Sequence, residues 1–209
     1  MKEENLEFPE IPAEVVQVDI SGDLGFHPDP TVLGVWVTDN SKSYLLCKIM
    51  LYNVTYTRQA RFINTIAEVL KAKNVSIDIG GPGQTVYLDL SNENIYSSKS
   101  YAILPVDFRA NLPVGATKLG EIIKENSKCH ATTLIGKAFE DKSILLPSQD
   151  LQLYDEVDSS TQYRTNRGTY TYVGIDHHLD MLRCFVLTKI LSKEFTEVSS
   201  GPLIGYSDF

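Results

Sequence analysis

The 209-residue sequence predicts an α/β fold, a mixed sheet with helices on both faces. Three observations predict it. Three β-rich runs follow one another through short turn-rich links, as in an antiparallel meander. A helical period then carries the chain to a fourth β-rich run, as a parallel crossover requires. The composition, 43% hydrophobic and 22% charged, suits one packed domain. No run reaches the about 18 apolar residues of a membrane-spanning helix, and no membrane partner is expected.

The elements follow in order. Residues 1–14 read as a linker, with Pro9, Pro12, five glutamates and one lysine, which is also the wrong charge for a signal peptide. Val15 to Ile20 (VVQVDI) is a buried strand, and Ser21 to Pro30 a loop. Thr31 to Thr38 and Ser43 to Leu51 are strands two and three, joined through Asp39-Asn40-Ser41. Ala60, Ile63, Ile66, Ala67 and Leu70 fall at helical spacing, so Thr57 to Lys73 is an amphipathic helix ended by Asn74. Val75 to Ile79 is strand four. Gly80-Gly81-Pro82-Gly83 turns into a short helix, Gln84 to Leu90, and Ile95 to Tyr101 is a fifth strand.

Residues 102–117 read as irregular, and Lys118 to Glu125 and His130 to Phe139 as helical. Ile144 to Pro147 is an edge segment, since Pro147 cannot donate to a ladder. Residues 158–174 form a C-terminal hairpin turning at Asn166-Arg167-Gly168. His177 to Leu191 is a strongly apolar helix with Asp176 at its start, the domain runs over 15–195, and 196–209 is a tail. A three-strand meander feeding parallel crossover strands is the element order of the ribonuclease-H-like fold.

Charge and cysteine content narrow the chemistry. The net charge of -8 argues against holding nucleic acid by charge alone. The excess is concentrated in residues 1–14 and 150–158, while residues 99–142 hold seven Lys/Arg against five Asp/Glu and can still face phosphates. Cys47, Cys129 and Cys184 show no zinc spacing and read as small apolar fillers in a reducing compartment.

Carboxylates stand where a hydrophobic pattern would not place them. Asp19 lies in VVQVDI, Asp78 in VSIDIGG, and Asp176, His177 and Asp180 open the last apolar helix. A buried carboxylate requires compensation, from an amide or Arg in the ordinary case. If strands one and four are neighbours, Asp19 and Asp78 lie side by side, and a divalent cation relieves their repulsion. Asp176 and Asp180 are spaced i,i+4 and His177 and Asp180 i,i+3, so each pair shares a helix face. Such a set suits a two-metal phosphodiester hydrolysis with Mg²⁺ or Mn²⁺. His178, at i,i+2 from Asp180, points elsewhere. A rival reading takes DIGGPG and VDISGD as phosphate loops of an actin-like nucleotide binder. No GxxxxGK[ST] loop accompanies them, and the chain has room for one such half only.

Four stretches resemble the nuclease domain of the bacteriophage terminase large subunit. They are VDISGD with DPTVLGVW, IDIGGPGQTV, Asn126-Ser127-Lys128 with ILLP and LQLYDEV, and DHHLDMLRC, which is similar to a DHxxDAxRY pattern. The resemblance covers Val15 to about Leu191. Met181 and Cys184 depart from the pattern. It implies a metal-dependent endonuclease that cuts concatemeric viral double-stranded DNA during genome packaging, with little sequence preference. Asp19 and Asp78 carry over as metal-bridging acids, His177 and Asp180 as metal ligands, and Asp176 as either a ligand or a helix N-cap. Lys118, Lys128, Arg164 and Arg167 are the candidate DNA contacts. The implied partners are a packaging ATPase domain outside this chain, the portal and the small terminase subunit, in the host cytoplasm. The domain alone is expected to be a monomer. Another ribonuclease-H-like nuclease, a junction resolvase or hybrid nuclease, is the alternative.

Overall fold

Alternation along the first strand decides which face each side chain takes. In β1 (Gln17–Asp23) Val18 and Ile20 enter one hydrophobic core, while Asp19, Ser21 and Asp23 point to the opposite face. A computed structural model describes residues 16–39, 42–92, 99–164, 170–173 and 176–200. The 1–14 linker, most of the predicted fifth strand, the 166–168 turn with Arg167, and the tail beyond Ser200 lie outside the described residues.

β1, β2 (Thr31–Thr38) and β3 (Ser43–Leu51) form the predicted meander. Helix α1 (Tyr56–Val69) crosses to β4 (Asn74–Asp78), which pairs parallel with β1. The helix ends earlier than its apolar spacing suggests, because Lys71 adopts a φ of 51°, and Asn74 opens the strand instead of closing the helix. α2 (Gly83–Ser91) follows the glycine turn. β5 (Ala102–Val106) pairs parallel with β4, so the fifth strand exists but starts after the predicted segment. The sheet order is β5-β4-β1-β2-β3, with a short β8 on the outer edge of β3.

Residues 102–125 differ most from expectation. The irregular stretch holds β5 and β6 (Asn111–Ala116), and the predicted helix at 118–125 is a turn and a strand, β7 (Ile122–Asn126). Gly120 takes a φ of 83°, and the β-branched Ile122 and Ile123 pair with β6 as a ribbon apart from the main sheet. α3 (Ser127–Glu140) is the predicted helix, extended N-terminally to an Asn126 cap that accepts from the Lys128 and Cys129 amides. β8 (Ile144–Leu145) is the Pro-ended edge segment. α4 (Leu151–Ser159), the hairpin strands β9 (Thr161–Arg164) and β10 (Tyr170–Val173), and α5 (His177–Ser200) complete the order.

Two cores flank the sheet. α1 and α2 lay Ala60, Ile63, Ile66, Val86 and Leu90 on Ile20, Leu33, Val75 and Ile77. α3, α4 and α5 pack Ile135, Leu153, Leu182 and Phe185 against Val32, Trp36 and Leu45. The Trp36 and Phe185 rings stack with centroids 4.0 Å apart.

α5 approaches the sheet closely because small residues lie beneath it. A Cβ on Gly34 would run into the Met181 sulfur. Ser21 Oγ donates to the Met181 carbonyl at 2.8 Å and accepts from Trp36 Nε1 at 2.8 Å. Ser76 Oγ donates to the Cys184 carbonyl at 3.2 Å and accepts from Thr188 Oγ1 at 2.7 Å. Ser21→Ala strands the buried Trp36 N–H. It should lower the unfolding free energy by about 1–3 kcal/mol, read from urea denaturation. A loss within error of zero would show that α5 does not depend on this hydroxyl.

Candidate metal and phosphodiester site

The register of β1 against β4 decides which acids meet. Asp19 is level with Asn74, Ser21 with Ser76 and Gly22 with Ile77. Asp78 is therefore level with Asp23, not with Asp19. Both acids end their strands, at the carboxyl edge where open parallel sheets bind ligands.

The expectation that Asp19 and Asp78 are neighbours is thus corrected: they lie at opposite ends of the β1–β4 pair, four residues out of register. Asp19 is buried and accepts from Asn74 Nδ2 at 2.8 Å and Gln17 Nε2 at 2.6 Å. Burial raises its pKa, and these bonds oppose the rise. This is the ordinary compensation of a buried carboxylate.

The glycine turn wraps Asp78. Gly80 N–H donates to Asp78 Oδ1 at 2.9 Å, and a Cβ on Gly83 would overlap the Asp78 carbonyl oxygen, so only glycine fits there. Burial foremost, and then the charges of Asp23 and Asp180, push Asp78 up to about 6 against the Gly80 hydrogen bond and Lys128.

The N-terminal turn of α5 faces these acids. His177 Nδ1 lies 2.7 Å from Asp23 Oδ2, and Nε2 lies 3.6 Å from Asp29 Oδ1. The Asp23 hydrogen bond raises His177 to about 9, so the ring is an imidazolium at neutral pH with both nitrogens donating. An imidazolium has no lone pair for a metal, so in this arrangement His177 orients Asp23. Asp180, also largely buried, meets Arg183 Nη1 at 2.6 Å and Lys128 Nζ at 2.8 Å. Burial raises its pKa, and both cations oppose the rise. Asp176 meets the same two cations, Lys128 and Arg183, each at 2.7 Å. Burial works against the Lys128 charge, but Asp180 and Asp176 outweigh it and raise its pKa.

The helix cap expected of Asp176 comes from another helix. Glu156 Oε2, on α4, accepts from the His178 and Leu179 amides at 2.7 and 2.9 Å. His178 is buried and turns away from the acids to Lys48, whose Nζ lies 2.5 Å from its Nδ1. Burial, with the charge of Lys48, lowers His178 to about 4.

The structure thus brings Asp78, Asp176, His177 and Asp180 together with two acids that sequence reasoning missed, Asp23 and Asp29. VDISGD contained Asp23, and the signal was its place at the end of a strand parallel to that of Asp78. Among the predicted DNA contacts, Lys128 lies inside the site and Lys118 is exposed in the β6–β7 turn. Arg164 ends β9, and nothing is described of its side chain. Among the described residues, no three His, Cys, Asp or Glu side chains converge tightly enough to cage an ion as they stand. Lys128, Arg183 and His177 hold the acids apart instead. The acid oxygens are nonetheless the hard donors that Mg²⁺ or Mn²⁺ takes, and Asp78 carries the raised pKa of a carboxylate among like charges.

The comparisons agree with this architecture. The full-length large terminase of a thermophilic bacteriophage matches with a TM-score of 0.60 at 18% identity, over 88% of this chain and 42% of that one. The large terminase nuclease of the thermophilic phage G20c, solved with bound magnesium, matches at 0.58 and 20%, over 86% of this chain and 90% of that one. The nuclease domain of the large terminase subunit gp2 of bacterial virus Sf6 matches at 0.63 and 10%, over 82% and 86%. The chain therefore has the fold of large-terminase nuclease domains and spans under half of the first of these proteins. No family model matches the sequence, and no curated protein does.

Two pH effects follow for the metal-free protein. The folded pKa of His177 lies above the ordinary 6.5, so its contribution is full below that value and fades as pH rises through about 9. His177→Gln should flatten the fall in Tm across this window, and an unaltered slope would count against the Asp23 bond. For Asp78, the fold disfavours the ionised form, a penalty that is complete above about 6 and fades towards 3.8. Asp78→Asn should raise Tm in EDTA at pH 7.5, with the gain shrinking as pH falls through 6. A lower Tm at pH 7.5 would mean that the charge is compensated.

Proposed function

We propose that the chain is a metal-dependent DNA endonuclease of the terminase type, which cuts concatemeric viral double-stranded DNA during genome packaging. One observation carries this reading. Asp23 and Asp78 end adjacent parallel strands, and Asp180 faces them from α5, in the fold of phage terminase nucleases. The G20c nuclease solved with bound magnesium, and again with bound cobalt, supports a divalent ion here.

Asp23, Asp78 and Asp180 are the proposed metal-holding acids, with Asp29 near the entrance. Asp23 takes the part that the sequence assigned to Asp19. Bound Mg²⁺ or Mn²⁺, in one or two ions, supplies an activated water and offsets charge on the phosphate and the leaving 3′ oxygen. The chain's own residues set the frame for that chemistry. His177 holds Asp23 in one orientation through Nδ1. The Gly80 amide fixes Asp78 Oδ1. Arg183, fully buried, donates to Asp176 and Asp180, to Thr132 Oγ1 at 2.9 Å, and stacks over Tyr172. Glu156 fixes the start of α5 and with it all three of its functional side chains.

Double-stranded DNA is the proposed substrate, with Lys118, Arg164 and Arg167 as contacts beyond the site. A packaging ATPase domain, the portal and the small terminase subunit are the proposed partners, in the host cytoplasm. The net charge of -8 predicts weak DNA affinity for the domain alone.

Plasmid digestion with EDTA, Mg²⁺ or Mn²⁺ tests the reading. Supercoiled DNA should become linear and then fragments only with metal. Asp23→Ala and Asp78→Ala should each reduce the rate by about 100-fold or more, whereas Asp19→Asn should retain most of it. Cleavage that survives Asp78→Ala, or that is confined to branched DNA or RNA–DNA hybrids, would sink the terminase assignment. Loss of activity in a folded Asp19→Asn protein would restore the sequence-based placement.

A further inference from the structure

The acids on α5 are already neutralised. Asp176 and Asp180 each meet two cations, and the same two serve both: Lys128 Nζ at 2.7 and 2.8 Å, Arg183 Nη1 at 2.7 and 2.6 Å. Two carboxylates and two cations form a closed, charge-balanced ring.

Its two cations are not equivalent. Arg183 is 0% exposed and fastened by Thr132, Ser160 and the Tyr172 ring, besides the two acids. It cannot leave without opening α5. Lys128 comes from the first turn of α3, where Asn126 fixes its backbone, and its side chain passes near the Phe108 ring at 5.5 Å. That side chain is 16% exposed and flexible, so the ammonium can withdraw to solvent while the backbone stays in place. A divalent ion that takes Asp180 Oδ2 must use the oxygen that Lys128 holds. An ammonium and a dication on one carboxylate oxygen repel strongly in a partly buried site.

On the basis of the metal-site reading above, we propose that the Lys128 ammonium is a tethered occupant of the cation position at Asp180, and that a divalent ion enters there only by expelling it. The acids Asp23 and Asp78 have no such competitor on α3, so the two sides of the site load with unequal affinity. The Asp180 side is the weaker.

Mn²⁺ titration of the whole chain without DNA, read from the electron paramagnetic resonance of free Mn²⁺, tests this without any cleavage assay. Lys128→Met should tighten the weaker Mn²⁺ position by about tenfold or more, while Lys128→Arg, which keeps a cation, should leave it weak. Equal or weaker Mn²⁺ binding by a folded Lys128→Met protein would overturn the proposal. A second readout needs no variant. The Lys128 ammonium resonance in ¹⁵N spectra should move when Mg²⁺ saturates the wild-type protein, and a resonance unmoved at saturation would equally overturn it. Asp78→Asn separates the two levels of inference. If it leaves Mn²⁺ binding unaltered, the metal-site reading itself fails, whereas normal Asp78 dependence with no Lys128 effect rejects the lysine's part alone.

Discussion

The close seating of α5 on the sheet is the contact on which the rest of the site depends. A helix can lie this near to strands only where the side chains between them are small, and Gly34, Ser21 and Ser76 provide that space. The serines also bind it, because each hydroxyl uses the second lone pair of a helix carbonyl, Met181 or Cys184, whose first lone pair serves the helix. With the helix fixed at these two points, the turn before them projects Asp176, His177, Asp180 and Arg183 over the ends of β1 and β4.

Charge in the site is divided between layers. The sheet and its loops contribute acids, Asp23, Asp29 and Asp78. The helices contribute the cations, Lys128 from α3 and His177 and Arg183 from α5, together with two more acids. Each cation serves at least two carboxylates, so the site is held as a network and not as separate pairs. Asp78 stands apart. It ends β4 among like charges, with Lys128 as the nearby cation of its surroundings, and burial raises it most clearly of the site acids. A group so placed gains most from an added cation. The Glu156 cap and the Lys48–His178–Asp150 cluster lie behind this network and tie α4 to the start of α5.

Much of this was legible in the sequence because it rests on periodicity. The meander, the crossover through α1, the DIGGPG turn and the apolar α5 all follow from spacing that a single element displays. The misplacement of Asp19 has a different source. Asp19 and Asp23 lie on the same face of one strand, and only the pairing with β4 separates them. Register between distant strands is a property of the pair, invisible in either alone. The β6–β7 ribbon escaped for a related reason: its apolar residues are largely exposed, so they show no buried alternation, and Leu119, Ile122 and Ile123 mimic helical spacing. Lys128 read as a surface charge because nothing near it in sequence shows that two acids 48 and 52 positions away will enclose it.

The strand acids and their partners are also far apart in time of synthesis. Asp23 and His177 are separated by 154 residues, and Lys128 and Asp180 by 52. A nascent chain that has emerged only through β5 can pair β1 with β4 and so hold Asp23 next to Asp78, with neither the imidazolium nor the ammonium to offset them. Like charges in that intermediate oppose its closure until residues 176–183 leave the ribosome and α5 docks. The arrival of the last helix therefore completes the fold and the site in one event, so that a chain still being made carries the acids but not the assembled centre.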